Sequence, residues 1–257
     1  MSEHVHVDGA PAPAFGLADE LVPGAGAPHV HQRHQLLYAS SGTLTLEVAD
    51  STWLLPPLRA AVLRAGVEHV VEVPGPASLR TVYLAPSLVG WTPPECAVFT
   101  VDPLARALLT GAVRFGPDRD YDALARSYFD TLARLAQEWV ARPLALRLPR
   151  PSSPELARVL RWTRRRRGER LRAADAARAG GMAPRTLARK MKEETGLTWQ
   201  RYVQIARVLR AMELLVQPGT SVTEAALDVG YSSLPTFSRV FASLAGTSPS
   251  AWVRSLG

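Results

Sequence analysis

Two sets of side chains in this 257-residue chain have types and spacings suited to chemistry. The first is histidine. His29, His31 and His34 crowd one short stretch, Gln35 follows, and His69 lies beyond Gly66. Imidazole nitrogens suit zinc, nickel, iron or copper, and residues 29 and 31, two apart on a strand, project to the same side. The same histidines could line a metal-free pocket for an organic effector, or simply bond to backbone. The second set is cationic. Arg185, Arg189, Lys190 and Lys192 follow Pro184 at helical spacing, with Thr186 beside them. Arginine near the N-terminus of a helix in the major groove can bond bidentately to guanine O6 and N7, whereas lysine more often neutralises phosphate. Arg185 and Arg189 are therefore the first choices for base contact, and Lys190 and Lys192 for phosphate contact.

The elements that must carry these residues are partly visible as a repeat. Residues 172–203 return weakly at 222–253, fifty positions on: Ala176 answers to Ala226, Gly180 to Gly230, Thr186 to Thr236, Arg189 to Arg239, Gly196 to Gly246 and Tyr202 to Trp252. Each copy reads as an Ala-rich helix, a Gly-containing turn and a second helix, which is a helix-turn-helix. In the second copy Ser232 or Ser233 can cap the helix, and Phe237, Phe241 and Leu244 form its buried stripe. Pro235, Thr236, Ser238 and Arg239 remain on the exposed side. That side has one positive charge where the first copy has four, so the second helix is expected to bind duplex more weakly. Residues 198–216 between the copies show one apolar stripe, from Tyr202 to Leu215. As a helix they span roughly 28 Å, close to the ~34 Å between successive major grooves on one face of DNA.

Charge divides along the chain. Residues 1–150 hold 12 basic and 15 acidic side chains, net −3, and residues 151–257 hold 18 and 8, net +10. A basic domain beside a nearly neutral one is the electrostatic footprint of a polyanion binder. Cys96 is the only cysteine, so no intrachain disulfide can form. No signal peptide or membrane-length apolar run is visible, and a cytoplasmic protein is expected.

Residues 1–14 read as a loose tail. Short β-rich runs follow at 35–38, 43–48, 52–55, 60–63, 70–73 and 79–84, separated by Gly, Pro and Asp turn signals. They predict a small barrel or sandwich. Helices are expected at 102–113, with Leu104, Leu108 and Leu109 on one side, and at 120–140, with Leu124, Tyr128, Leu132, Leu135 and Trp139 at helical spacing, either covering the barrel or forming a dimer contact. Residues 143–153, rich in Pro and Ser, read as a linker. An amphipathic helix at 154–167, with Leu156, Val159, Leu160 and Thr163 inward, opens the basic domain. The fold class is α+β: a β-barrel domain with following helices over 15–142, and an all-α domain over 154–257 whose two helix-turn-helix units are joined by a long helix.

The basic domain resembles the AraC/XylS family of bacterial transcription regulators. The residues that carry the resemblance are 184–189 (PRTLAR), 194–196 (ETG), Ala225-Ala226, 230–233 (GYSS), 237–241 (FSRVF) and 246–249 (GTSP). Met191 and Ala242-Ser243 depart from the usual family residues. The resemblance implies binding to double-stranded promoter DNA, an N-terminal domain for effector sensing or dimerisation, and RNA polymerase as a partner if the protein activates. The pattern His29-x-His31-x3-Gln35, with Gly66-x2-His69, is similar to the metal motifs of cupin barrels. That similarity implies a divalent transition metal held by His29, His31, Gln35 and His69, with His34 a possible substitute. Gln35 stands where those motifs carry glutamate. A cupin-type metal enzyme and a nonspecific nucleic-acid binder are the alternatives to a regulator. Neither accounts for the tandem helices, and no catalysis is expected.

Overall fold

The computed structural model describes residues 7–49, 51–73, 75–141, 146–217 and 219–254. Residues 1–6 of the expected tail, with His4 and His6, lie outside these, as do Asp50, Pro74 and residues 143–145 of the expected linker. The chain divides into two compact units: Met1–Ala49 with Trp53–Leu144, and Ala145–Gly257 with Asp50–Thr52.

The N-terminal unit is built from antiparallel strands β1 (Ala14–Leu21), β2 (Gly24–Ala25), β3 (His34–Ser41), β4 (Leu44–Val48), β5 (Ser51–Leu55), β6 (Arg59–Leu63), β7 (His69–Val73), β8 (Ala77–Leu84) and β9 (Cys96–Thr100). One sheet runs β1–β8–β3–β6–β9, and β5–β4–β7–β2 run consecutively in the other. Strand alternation explains the layering. Leu37 and Ala39 of β3 enter the core between the sheets with Leu44, Leu46, Leu55 and Leu63. Their neighbours Leu36 and Tyr38 face a second core under helices α1 (Pro103–Gly111) and α2 (Ala123–Val140). A sheet covered on both sides needs near-continuous apolar strands, and β3 and β6 have them.

Three expectations change here. Residues 7–14 are not a loose tail. Val7–Gly9 form a helical turn, Asp8 accepts the Gln32 N–H at 2.8 Å, and Arg33 donates to the carbonyls of Ala10 and Ala12. In α1 the inward residues are Ala105 and Leu109, while Leu104 is exposed. In α2 the buried stripe is Ala125, Phe129, Leu132, Ala133 and Ala136, and Leu124 is exposed. The small alanines let both helices sit close on the sheet, so the larger leucines mislead a reading by size.

In the C-terminal unit a short strand β10 (Arg147–Pro149) precedes six helices: α3 (Pro154–Arg165), α4 (Ala173–Ala179), α5 (Pro184–Thr195), α6 (Trp199–Leu215), α7 (Val222–Asp228) and α8 (Leu234–Ala245). A seventh, α9 (Pro249–Arg254), ends the described chain. Leu156, Val159, Leu160 and Thr163 are buried in α3, as the periodicity predicts. The first helix-turn-helix is α4–α5 and the second α7–α8.

The recognition-type helices α5 and α8 match at an offset of fifty: both have twelve residues, and both end in left-handed glycines, Gly196 and Gly246. At φ 69° and 75° these caps need glycine. The leading helices do not keep that register. α4 and α7 match at forty-nine, and the left-handed turn glycine Gly181 corresponds to Gly230, not Gly180 to Gly230. The second turn is therefore one residue longer. The extra residue lies in the Ser232-Ser233 stretch, and Ser233 caps α8 through the Thr236 N–H.

Helix α6 is buried on almost every side, with nine buried residues from Tyr202 to Leu215. Its Arg207 donates to the carbonyls of Arg167 (2.9 Å) and Glu169 (2.7 Å) beyond α3, and its guanidinium lies over the Tyr231 ring at 5.3 Å. One side chain thus joins α3, α6 and the second turn. Arg207→Met should destabilise the C-terminal unit by about 2 kcal/mol, because two carbonyls lose a charged donor. Arg207→Lys should rescue only part of it, lacking the planar fork. Urea unfolding followed by helical circular dichroism reads both.

Candidate nucleic-acid interface and effector pocket

Pro184 occupies the first turn of α5, where its missing N–H costs nothing. Leu187 and Met191 anchor the helix in the core. That orientation leaves Arg185, Arg189 and Lys192 exposed and Thr186 partly so. Arg185 and Lys192 make no ion pair among the described residues, while Arg189 pairs with Glu193 at 2.6 Å.

Lys190 behaves differently from its neighbours. It is mostly covered and pairs with Glu194 (3.4 Å) and Glu155 (3.7 Å). Glu194 also accepts from the Ser153 N–H (2.8 Å) and hydroxyl (2.7 Å). These bonds hold its carboxyl below the usual range against the burial that opposes them. Lys190 and Glu194 brace α5 against the start of α3. Lys190, expected as a phosphate contact, is thus held in two ion pairs in this structure. Residue type and helical spacing alone could not reveal it, because Glu155 comes from another helix.

On α8, Phe237, Phe241 and Leu244 are buried. Ser232, Pro235, Thr236 and Arg239 are exposed, and Ser233 and Ser238 are partly so. Leu234, at the first helical position, is 40% exposed and went unnoticed in the sequence. Elsewhere in the unit, Arg164, Arg165, Arg167 and Arg210 line one open cleft with Leu214 and Asp228. Burial and the nearby Arg210 and Arg164 lower the proton affinity of Arg167, which Glu213 only partly offsets. So much positive charge crowded together is an electrostatic feature suited to polyanions.

In the N-terminal unit the polypeptide brings His29, His31 and His69 together. An isolated antiparallel bridge joins His29 and His69, whose ring centroids stand 4.2 Å apart; His31 is 5.1 Å from His69. Each Nδ1 faces a backbone carbonyl: Ala27 for His29 (3.0 Å), Arg33 for His31 (2.8 Å) and Val67 for His69 (2.9 Å). A carbonyl can only accept, so each Nδ1 carries the proton. In the neutral His69 ring this leaves Nε2 as an acceptor. At His31 both ring nitrogens face oxygen, with Nε2 3.1 Å from Gln35 Oε1, while Gln35 Nε2 donates to the Tyr83 hydroxyl (3.0 Å). His69 Nε2 is buried without a hydrogen-bond partner.

Of the expected metal set, His29, His31 and His69 come together, while His34 and Gln35 are engaged elsewhere. His34 turns away, its Nδ1 accepting the Ala65 N–H at 3.0 Å, and Gln35 is occupied at both ends of its amide. Among the described residues no group of three His, Cys, Asp or Glu side chains is placed to hold a metal ion. What the described residues show there is a cluster of imidazoles held by backbone carbonyls.

Burial pushes the His69 pKa down to about 4, and lowers that of His31 in the same direction. The unfolded chain takes up the proton near 6.5, but folded His69 does so only near 4. Stability should therefore be unaffected above pH 6.5, fall as pH drops from 6.5 to 4, and level off below that. In His69→Gln this acid loss should be smaller. Thermal unfolding of the N-terminal unit between pH 4 and 7.5 measures the difference.

Comparison with known proteins connects the two halves. Residues 23–145 match the AraC-like ligand binding domain and residues 176–255 a helix-turn-helix domain. The chain is 30% identical over 232 residues to the HTH-type transcriptional regulator NimR of Escherichia coli K12, covering 89% of this chain and 82% of that one. It is 44% identical over 57 residues to the HTH-type transcriptional activator RhaS of Escherichia coli O157:H7, 22% of this chain and 20% of RhaS. Among solved structures, ToxT from Vibrio cholerae O395 covers 95% of this chain and 98% of its own at 11% identity, with a TM-score of 0.41. With a ligand-binding β domain, a tandem helix-turn-helix and a nearly full-length regulator as a relative, the chain belongs to the AraC family of transcriptional regulators.

Proposed function

We propose that the protein reads a promoter site nearly two helical turns long, with α5 and α8 in successive major grooves and α6 as the spacer between them. The observation that carries this reading is the burial of α6. A helix packed on almost every side cannot swing, so both recognition helices are held in one body. Arg185 and Arg189 read bases from α5, with Thr186 beside them, and Lys192 contacts phosphate. Ser232, Ser233, Pro235, Thr236, Ser238 and Arg239 form the α8 contact. The protein acts in the cytoplasm, as a homodimer where its sites are paired, and with RNA polymerase where it activates.

The N-terminal domain takes a small organic effector that bears an N–H or O–H donor. The unpartnered, neutral Nε2 of buried His69 is the acceptor that supports this reading. It predicts that His69→Phe lowers effector-dependent stabilisation against heat without changing DNA binding by the free protein. Elemental analysis of the purified protein tests the metal alternative alongside it.

DNA affinity by fluorescence anisotropy, on a site found by footprinting upstream of the protein's own gene, checks the interface. Arg185→Ala and Arg189→Ala should each weaken specific binding by about 1–3 kcal/mol, and Arg239→Ala by less. Lys192→Met should reduce the salt slope by about one. Lys190→Met should leave that slope unchanged and lower stability instead. Equal losses at Arg189 and Arg239 would contradict the unequal division of labour.

A further inference from the structure

The two recognition helices differ in the chemistry of their first turn. At the fifty-residue offset that superposes α5 on α8, Pro184-Arg185 of the first helix becomes Leu234-Pro235 of the second. An exposed guanidinium is thus replaced by two adjacent apolar side chains, both facing solvent. Among the described residues of the C-terminal unit, Leu227 and Leu234 are the exposed large apolar side chains, and Leu234 alone of these sits on a recognition helix. Lys190 and Lys192 become Val240 and Ala242. Of the cations on α5, only Arg189 has a counterpart on α8, Arg239.

Leaving a leucine 40% exposed at the leading edge of such a helix is unfavourable in water. The major-groove edges of the base pairs are polar except at one group, the C5-methyl of thymine. We infer that Leu234 and Pro235, with the Thr236 methyl beside them, read thymine methyl groups in the half-site of the second unit, while the first unit reads guanine through arginine. Leu234 is then a specificity residue. Its role rests on the proposed entry of α8 into the groove. The operator it predicts is chemically divided, with guanine required in one half and thymine in the other.

Deoxyuridine differs from thymidine only by the missing methyl, which makes the inference testable atom by atom. Full-length protein is used to select binding sites from a randomised duplex pool. Each thymine of the selected site is then replaced singly by deoxyuridine. Arg185→Ala marks the first half as the place where its base preference relaxes. In the other half, at least one thymine-to-deoxyuridine change should weaken wild-type binding about three- to five-fold, the worth of one buried methyl. Leu234→Ser should bind the thymine duplex weaker by a similar factor and be indifferent to the same replacement. Because Leu234 is exposed, the variant should keep the wild-type unfolding midpoint, and the melt is measured to confirm this. The inference is overturned if no deoxyuridine in that half changes affinity, or if Leu234→Ser still discriminates the methyl. A selection that enriches no sequence would remove the groove-reading assignment itself, and this inference with it.

Discussion

Everything in the C-terminal unit depends on a helix that has almost no free surface. Most helices of a small domain bury one stripe and leave the rest to water. α6 instead buries Tyr202, Val203, Ile205, Ala206, Val208, Leu209, Ala211, Met212 and Leu215, which together cover most of its circumference. The first helix-turn-helix packs on Tyr202 and Ala206. The second is fixed through Arg207, which meets Tyr231 from the same helix. Two small bundles that would each be marginal alone gain one shared core, and their reading helices gain a fixed separation.

Polar groups inside the molecule follow a similar economy. Arg33 is nearly buried and survives there by donating to two carbonyls of the N-terminal segment, with Phe15 beneath its guanidinium. Glu194 is mostly covered and is satisfied by two serines and Lys190. Among the histidines, the backbone carbonyls fix all three tautomers. That rigidity fixes the ring orientations, and burial favours the uncharged form at His31 and His69.

Much of this was legible in the residues, and the failures have physical causes. Six strands of the β unit and the helices from α3 to α8 follow from alternation, periodicity and turn residues. β9 was missed because its five residues sit directly after Pro93-Pro94, where breakers dominate the local pattern. β1 was missed because the adjacent Asp19 and Glu20 break the alternation of its outer half, and only pairing along its whole length with β8 makes it a strand. Long-range partners also explain the errors at the sites. Nothing near Lys190 in sequence announces Glu155, and the spacing of His34 says nothing of the Ala65 N–H that claims it. The gathering of His29, His31 and His69 was foreseeable from strand spacing, but their ligand geometry was not.

The longer second turn has an effect that reaches past the protein itself. A repeat copied without change would read the same short word twice and tolerate a slip by one half. Here the added residue near Ser232 and the unlike first turns of α5 and α8 make the two halves distinguishable. A single chain carrying them is a polar object, with a head and a tail. With both helices in the groove as proposed, it would settle on an asymmetric site in one orientation, and so take a direction from the DNA.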